Sequence, residues 1–368
     1  MPRIVLEKSA ARRARFLFAG GVLLVAMLVA VVVHRRATAP GAQLTTPMLA
    51  IDALTAKSLY YNAAARPWLL ARRPDLLQPE DKDARSERVR SFVQAVQNPK
   101  LFRQLDRRNR FDALLLVGDP SQNRPLLEHL LQTKDWTLTY LDHTSLVFKR
   151  DVARAWQPRD LATVRQQFTS DHEQAIFLAQ AAGKMLAIRM VEPAKTVLDE
   201  AEKLDPKVAE VWNGLAVYRM DRGEWSQALE QVDRALALER DSLSALATKT
   251  QILYSTKKLP EALALSTRLI AARPDDPGLL FYHAKIAHDR RAFREEIDAL
   301  EHLVAVAEQE AQPTSGYRIY LAQAYAADGQ AEPSIEQFNR ALADPDLSKE
   351  QRTFAEKTLA QIKSRSRH

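Results

Sequence analysis

At 368 residues, with 46% apolar and 27% charged side chains, the chain has a folded protein's composition and room for two or three domains. It has no Cys, which excludes disulfide frameworks, thiolate chemistry and Cys-based metal sites, and its 10 Gly against 18 Pro favour helices over glycine-turn architectures. The net charge of +7 is uneven: residues 1–40 carry seven Lys/Arg against one acid, whereas residues 175–368 carry 26 against 29, which signals membrane topology and not nucleic-acid binding.

FLFAGGVLLVAMLVAVVV, residues 16–33, holds 18 residues without a charge or a Pro. As a helix it would measure about 27 Å, close to the hydrocarbon thickness of a bilayer. Arg3, Lys8, Arg12, Arg13 and Arg15 precede it, so residues 1–15 are expected in the cytoplasm and the chain beyond the span outside it. Ala37-Thr38-Ala39 imitates a signal-peptidase site, but Pro40 follows and His34-Arg35-Arg36 intervenes, so an uncleaved anchor in the bilayer of the inner membrane is the preferred reading.

Residues 34–47 read as a linker, and residues 48–150 as a small α/β domain. Residues 48–110 have mostly helical spacing, broken at Pro67, Pro74 and Pro79, and the run DKDARSERVRSF (81–92) reads as a solvated helix face. The apolar run 112–117 ending at Gly118 predicts a buried strand. Asp119-Pro120 then predicts a helix cap and a helix to about Gln132, followed by strands at 136–141 and 145–149 around Asp142-His143. One Gly beside an acid makes 118–121 a cap, not a phosphate cradle. In its order of strand, helix and Trp-led hairpin ending at Lys149-Arg150, this region resembles soluble domains that follow the membrane part of polytopic, lipid-sugar-dependent glycosyltransferases. No catalytic motif accompanies that resemblance.

Beyond a linker at 151–170 the sequence repeats. With Ala209 as position 1, Trp212, Leu215, Ala216, Gly223, Trp225, Ala228 and Ala235 stand at 4, 7, 8, 15, 17, 20 and 27. Units at 175–208, 243–276, 277–310 and, after a four-residue slip, 315–348 keep much of that register. Lys249 and Thr250 depart from it at positions 7 and 8, as do Glu296 and Ser334 at position 20. Ser170 to Glu173 and Ser348 to Gln351 are capping boxes. The second opens a closing helix, 348–363, with Phe354, Ala355, Leu359 and Ile362 expected on its inner face.

This 34-residue period resembles the tetratricopeptide repeat. The expected fold is therefore mainly α: a transmembrane helix, a small α/β domain, and an α-solenoid of about five repeats in 171–346 with a closing helix. Resemblance to that family implies a protein or peptide partner along the face made by helix-A positions 2, 5, 9, 12 and 13. Carried over residue by residue, that groove holds Asn213, Val217 and Met220, then Gln251 and Tyr254, then Phe281, Lys285 and His288. Families that grip a C-terminal carboxylate use Lys and Asn at positions 5 and 9 of their first unit. Ala179 and Gly183 stand there, so that activity does not carry over.

No catalytic constellation appears: no P-loop, no nucleophile elbow and no HExxH. The eight His are scattered and read as incidental surface or groove residues. No enzyme activity, cofactor or metal is expected. Two functions remain open, an anchored scaffold in the bacterial envelope and a non-catalytic accessory subunit of a membrane enzyme such as an envelope glycosyltransferase.

Overall fold

The structure, a computed structural model, describes residues 48–365 apart from 53, 119, 151, 153, 310, 311 and 346. The expected membrane span at 16–33 lies outside the described residues. Among the described residues no helix is long and apolar enough to cross a membrane. The chain divides into two compact units, the first ending at Pro206 and the second beginning at Lys207.

The first unit is built on a four-stranded sheet of β1 (Leu59–Tyr61), β2 (Ala113–Val117), β3 (Thr137–Leu141) and β4 (Ser145–Lys149), in the order β1-β2-β4-β3. β1 pairs parallel to β2, with Leu59 opposite Ala113, and the other two pairings are antiparallel. Every residue of β2 is buried, which explains a continuous apolar run instead of an alternating one. Helices α1 (Met48–Asp52), α2 (Arg66–Arg72), α3 (Glu87–Gln97), α4 (Pro99–Asn109) and α5 (Arg124–Gln132) accompany it. Tyr60 of β1 anchors an aromatic core, its ring 4.8 Å from Phe92, 5.2 Å from Phe102 and 5.6 Å from Phe111.

Three expectations in this region need correction. β1 was hidden inside helical spacing, because three residues are too few to show alternation and their partner strand lies over fifty residues away. Pro67, Pro74 and Pro79 do mark breaks, for a new helical segment opens at each with the Pro in its first turn, where its missing N–H is no loss. The mixed-charge run is a solvated face only in part: Lys82, Asp83, Arg85, Glu87 and Arg90 are exposed, but Asp81 is not. Asp81 is 1% exposed, accepts from Gln78 N at 2.8 Å and from Arg88 Nε at 2.9 Å, and lies in a 3₁₀ turn ahead of the Ser86 cap of α3. The helix after Pro120 also starts late, at Arg124, with a 3₁₀ turn over Pro120–Asn123 before it.

A short α6 (Leu161–Arg165) leads to the first repeat hairpin, α7 (Asp171–Ala187) and α8 (Val191–Leu204). Ser170 caps α7 with the expected box, accepting from Glu173 N at 3.2 Å. This hairpin belongs to the first unit with the sheet. Phe177 of α7 meets His143 edge-on at 5.3 Å, and Lys184 donates to the Gly118 carbonyl at the end of β2.

The second unit is helical throughout its described residues. It consists of the hairpins α9 (Ala209–Asp221) with α10 (Trp225–Leu238), α11 (Leu243–Ser255) with α12 (Leu259–Ala272), α13 (Pro277–Arg290) with α14 (Phe293–Gln309), and α15 (Ser315–Ala327) with α16 (Ala331–Leu342), then α17 (Lys349–Arg365). One cluster, from Leu280 through Leu303 to Tyr325, joins the fourth and fifth hairpins, and another joins the fifth to α17 through Phe338, Ala355 and Leu359. Phe354 does not share the inner face as expected. It is 46% exposed, because the inward stripe runs through Ala355, Leu359 and Ile362, one residue further round the helix.

The turns show why five copies keep one register. Position 15 has a left-handed backbone in every repeat, at Arg189 (φ 65°), Gly223 (73°), Lys257 (61°), Arg291 (62°) and Gly329 (82°). The next N–H bonds back to the carbonyl of position 11 each time: Met190 to Met185, Glu224 to Arg219, Lys258 to Leu253, Ala292 to Ala287 and Gln330 to Tyr325, at 2.8–2.9 Å. This is the Schellman closure of a helix end, repeated five times. The tight turn folds helix B onto helix A, and position 20 is buried in every copy: Ala194, Ala228, Ala262, Glu296 and Ser334. The second unit is thus an α-solenoid of repeated helix-turn-helix hairpins, and the first unit carries one more hairpin of the same design.

A prediction follows from the turns. A left-handed conformation costs an L-residue about 1–2 kcal/mol, partly offset by the greater freedom glycine loses on folding. Arg291→Gly should therefore raise stability by roughly 0.5 kcal/mol, while Gly329→Ala, whose added Cβ would meet nothing within 4 Å, should lower it by about 1 kcal/mol. Thermal denaturation of the two variants checks both signs; equal shifts in one direction would contradict the turn assignment.

Candidate functional site

The groove residues expected from sequence separate into two groups. Asn213, Val217 and Met220 are half-buried on α9, and Gln251 is exposed on α11; these four do not line a common cleft with the rest. Phe281, Lys285 and His288 do. Spaced four and three apart, they form one stripe on α13 and wall a cleft of about 300 Å³. Ala284 completes the α13 side, Glu296 and Leu300 come from α14, and Tyr320 and Gln323 from α15. The cleft therefore opens between consecutive repeats.

Its apolar wall is aromatic. Phe281 sits 5.2 Å from Tyr320 and 6.2 Å from Tyr317, both tilted toward edge-to-face geometry. Tyr320 is 49% exposed, which leaves about half of its surface open to solvent at the cleft. Tyr254, the remaining expected residue, adjoins the cleft through Lys285, whose ammonium lies 5.3 Å from its ring centre. Burial and the Asp289 carboxylate, 2.5 Å from the hydroxyl, push the Tyr254 phenol up to about 12.

Its polar floor is Glu296. This carboxylate occupies position 20, where three other repeats place Ala and one Ser, and the residue is only 5% exposed. Both of its oxygens lie 3.1 Å from His288 Nδ1. Burial pushes its carboxyl above the ordinary range, and His288 pulls it back in part.

A second hollow, about 380 Å³, continues from the first. It shares Tyr320 and Gln323 and extends past Ile319 to Gln351 and the exposed Phe354 of α17. Tyr320 lies at position 6 of its repeat, outside the five positions the family pattern supplies, and so escaped sequence reasoning. Glu296 was visible as a departure from the repeat, and that irregularity was the available signal. His283, on the same helix as His288, is no groove residue: it is buried and hydrogen-bonded to Ser266 at 2.8 Å.

The first unit offers less. One hollow there, about 590 Å³, is walled by polar side chains such as Ser58, Glu87 and Arg108. Arg88, on its rim, is already engaged by Asp81 and, at 2.9 Å, by Asn109. Gly118, with φ 94°, closes β2 by donating to the Thr144 carbonyl at 3.0 Å, and its own carbonyl accepts from Lys184, so the loop is tied into the fold. Among the described residues no group of three or more His, Asp or Glu is placed to hold a metal ion.

No protein-family model matches the chain, and no curated protein matches it. Among solved structures the chain is similar to YrrB, "a TPR protein with an unusual peptide-binding site", at 16% identity over 54% of this chain and 97% of that one, with a TM-score of 0.42. It is similar to residues 41 to the end of MamA from Desulfovibrio magneticus RS-1, at 18% identity over 46% and 93%, TM-score 0.39. It is also similar to pilF of Pseudomonas aeruginosa, at 16% identity over 55% and 86%, TM-score 0.43. These are likenesses of fold alone, and the repeat assignment stands on the turns and small-residue positions of this chain.

Proposed function

We propose that the chain is a non-catalytic scaffold of the bacterial envelope, held in the inner membrane by residues 16–33. Its repeats face away from the cytoplasm and recruit a protein partner through the cleft between the fourth and fifth hairpins. The observation that carries the recruiting role is the convergence of Phe281, Lys285, His288 and Tyr320 on one open cleft, with two half-exposed aromatic rings, Tyr320 and Phe354, along its continuation. Aromatic and cationic residues in such a cleft are the kind that dominate binding energy at protein interfaces. The anchoring part is supported by the apolar span and the basic residues ahead of it.

Topology has a direct test, because the chain contains no Cys. A single Ser255→Cys on the exposed end of α11 should react with a membrane-impermeant maleimide once the outer membrane is opened. Labelling only after the inner membrane is broken would contradict the orientation. Recovery of the protein in the soluble fraction would contradict the anchor.

A further inference from the structure

Glu296 is the feature of the cleft that the fold does not require. At position 20 four of five repeats place a small residue so that two helices can approach, and here a carboxylate is buried instead. An ionised carboxylate has about four acceptor sites and no donor. The hydrogen bonds found on Glu296 come from one nitrogen, His288 Nδ1, lying 3.1 Å from both oxygens. A buried carboxylate supplied by a single donor is costly, and burial accordingly raises its proton affinity. The side from which further donors can arrive is the cleft that Glu296 lines.

We infer that the cleft is a receptor for an arginine side chain of the partner, presented on an extended or helical peptide segment, with Glu296 as its counter-ion. This deepens the recruiting role proposed above and depends on it. A guanidinium offers five N–H donors in a planar fork that meets a carboxylate with two parallel bonds. Its flat face and aliphatic stem also suit the aromatic wall, where Phe281 and Tyr320 stand 5.2 Å apart. A cleft of about 300 Å³ is at the small end of ligand sites, sized for one side chain and not for a large molecule. Lys285, exposed on the cleft wall, sets a second condition: it disfavours a bare cation and favours an acidic residue beside the arginine. The recognised unit is thus an arginine with an acidic neighbour.

The test uses the full-length chain in mild detergent, selected against a phage-displayed library of random peptides. Selected peptides should carry Arg at one fixed position, with Lys as the weaker alternative. Binding of a synthetic selected peptide, followed by fluorescence anisotropy, should weaken roughly tenfold to a hundredfold with Glu296→Gln, the range of a hydrogen-bonded charge pair. Replacing the peptide's Arg by Met should have the same effect on the unaltered chain, and both changes together should weaken binding little further than either alone. The peptide change keeps the test valid even if Glu296→Gln fails to fold. Peptides that need Phe281 and Tyr320 but show no basic preference, or that bind Glu296→Gln unchanged, overturn the arginine receptor and leave the groove standing. Peptides indifferent to Phe281→Ala and Tyr320→Ala, or a library that yields none, overturn both.

Discussion

Phe338→Ala is expected to unravel the fifth hairpin and α17 while leaving the sheet of the first unit folded. Phe338 is fully buried and sits in the cluster formed by Ile319, Ala322, Ala341, Leu347, Ala355 and Leu359. Truncating a buried Phe typically costs about 3–5 kcal/mol through lost transfer energy and the cavity left behind. A whole domain is stable by only about 5–15 kcal/mol. In a solenoid each unit draws its stability from itself and its neighbours, so the loss falls mainly on the end that contains it. Hydrogen exchange should show protection collapsing in 315–365 with little change in β2 and β4. Uniform loss across the chain, or none in 315–365, would contradict a repeat array closed by α17.

The solenoid was legible because its causes are local and periodic. Ala182, Ala216 and Ala228 at positions 8 and 20 announce close helix contact, and Gly223 and Gly329 mark turns. Arg189, Lys257 and Arg291 hide the same turn, since nothing in their side chains advertises a left-handed backbone. The sheet was legible in β2, a continuous apolar run, and in the β3–β4 hairpin, whose short apolar or alternating segments flank the Asp142-His143 turn. β1, with three residues and a partner far along the chain, carries no period to detect. Within the cleft, one helix face was readable from the spacing of Phe281, Lys285 and His288. Tyr320 was not, and Glu296 showed only as a departure from the repeat with no sign of its place in the cleft, because both reach it from other helices, and such convergence is a property of packing and not of spacing. Phe354 shows the same limit, since one residue's rotation on α17 separates the core stripe from the groove.

Loss of partner capture in the double variant Phe281→Ala with Lys285→Ala is the expected result that bears hardest on the recruiting role. Phe281 is half-buried against Tyr317 and Tyr320 and supplies apolar area at the cleft, while Lys285 supplies the exposed cation on the same stripe. Truncating an aromatic anchor at an interface commonly costs about 2 kcal/mol or more, roughly thirtyfold in affinity, and removal of the cation adds to it. Neither residue belongs to the fully buried core, so the helices should remain. The measurement is a comparison of proteins recovered with tagged wild-type and double-variant chains from solubilised, cross-linked membranes, with circular dichroism confirming equal helicity. Partners present with the wild type and absent with the variant would agree with recruitment through this cleft. The same partners recovered in the same amounts by a normally folded variant would contradict it.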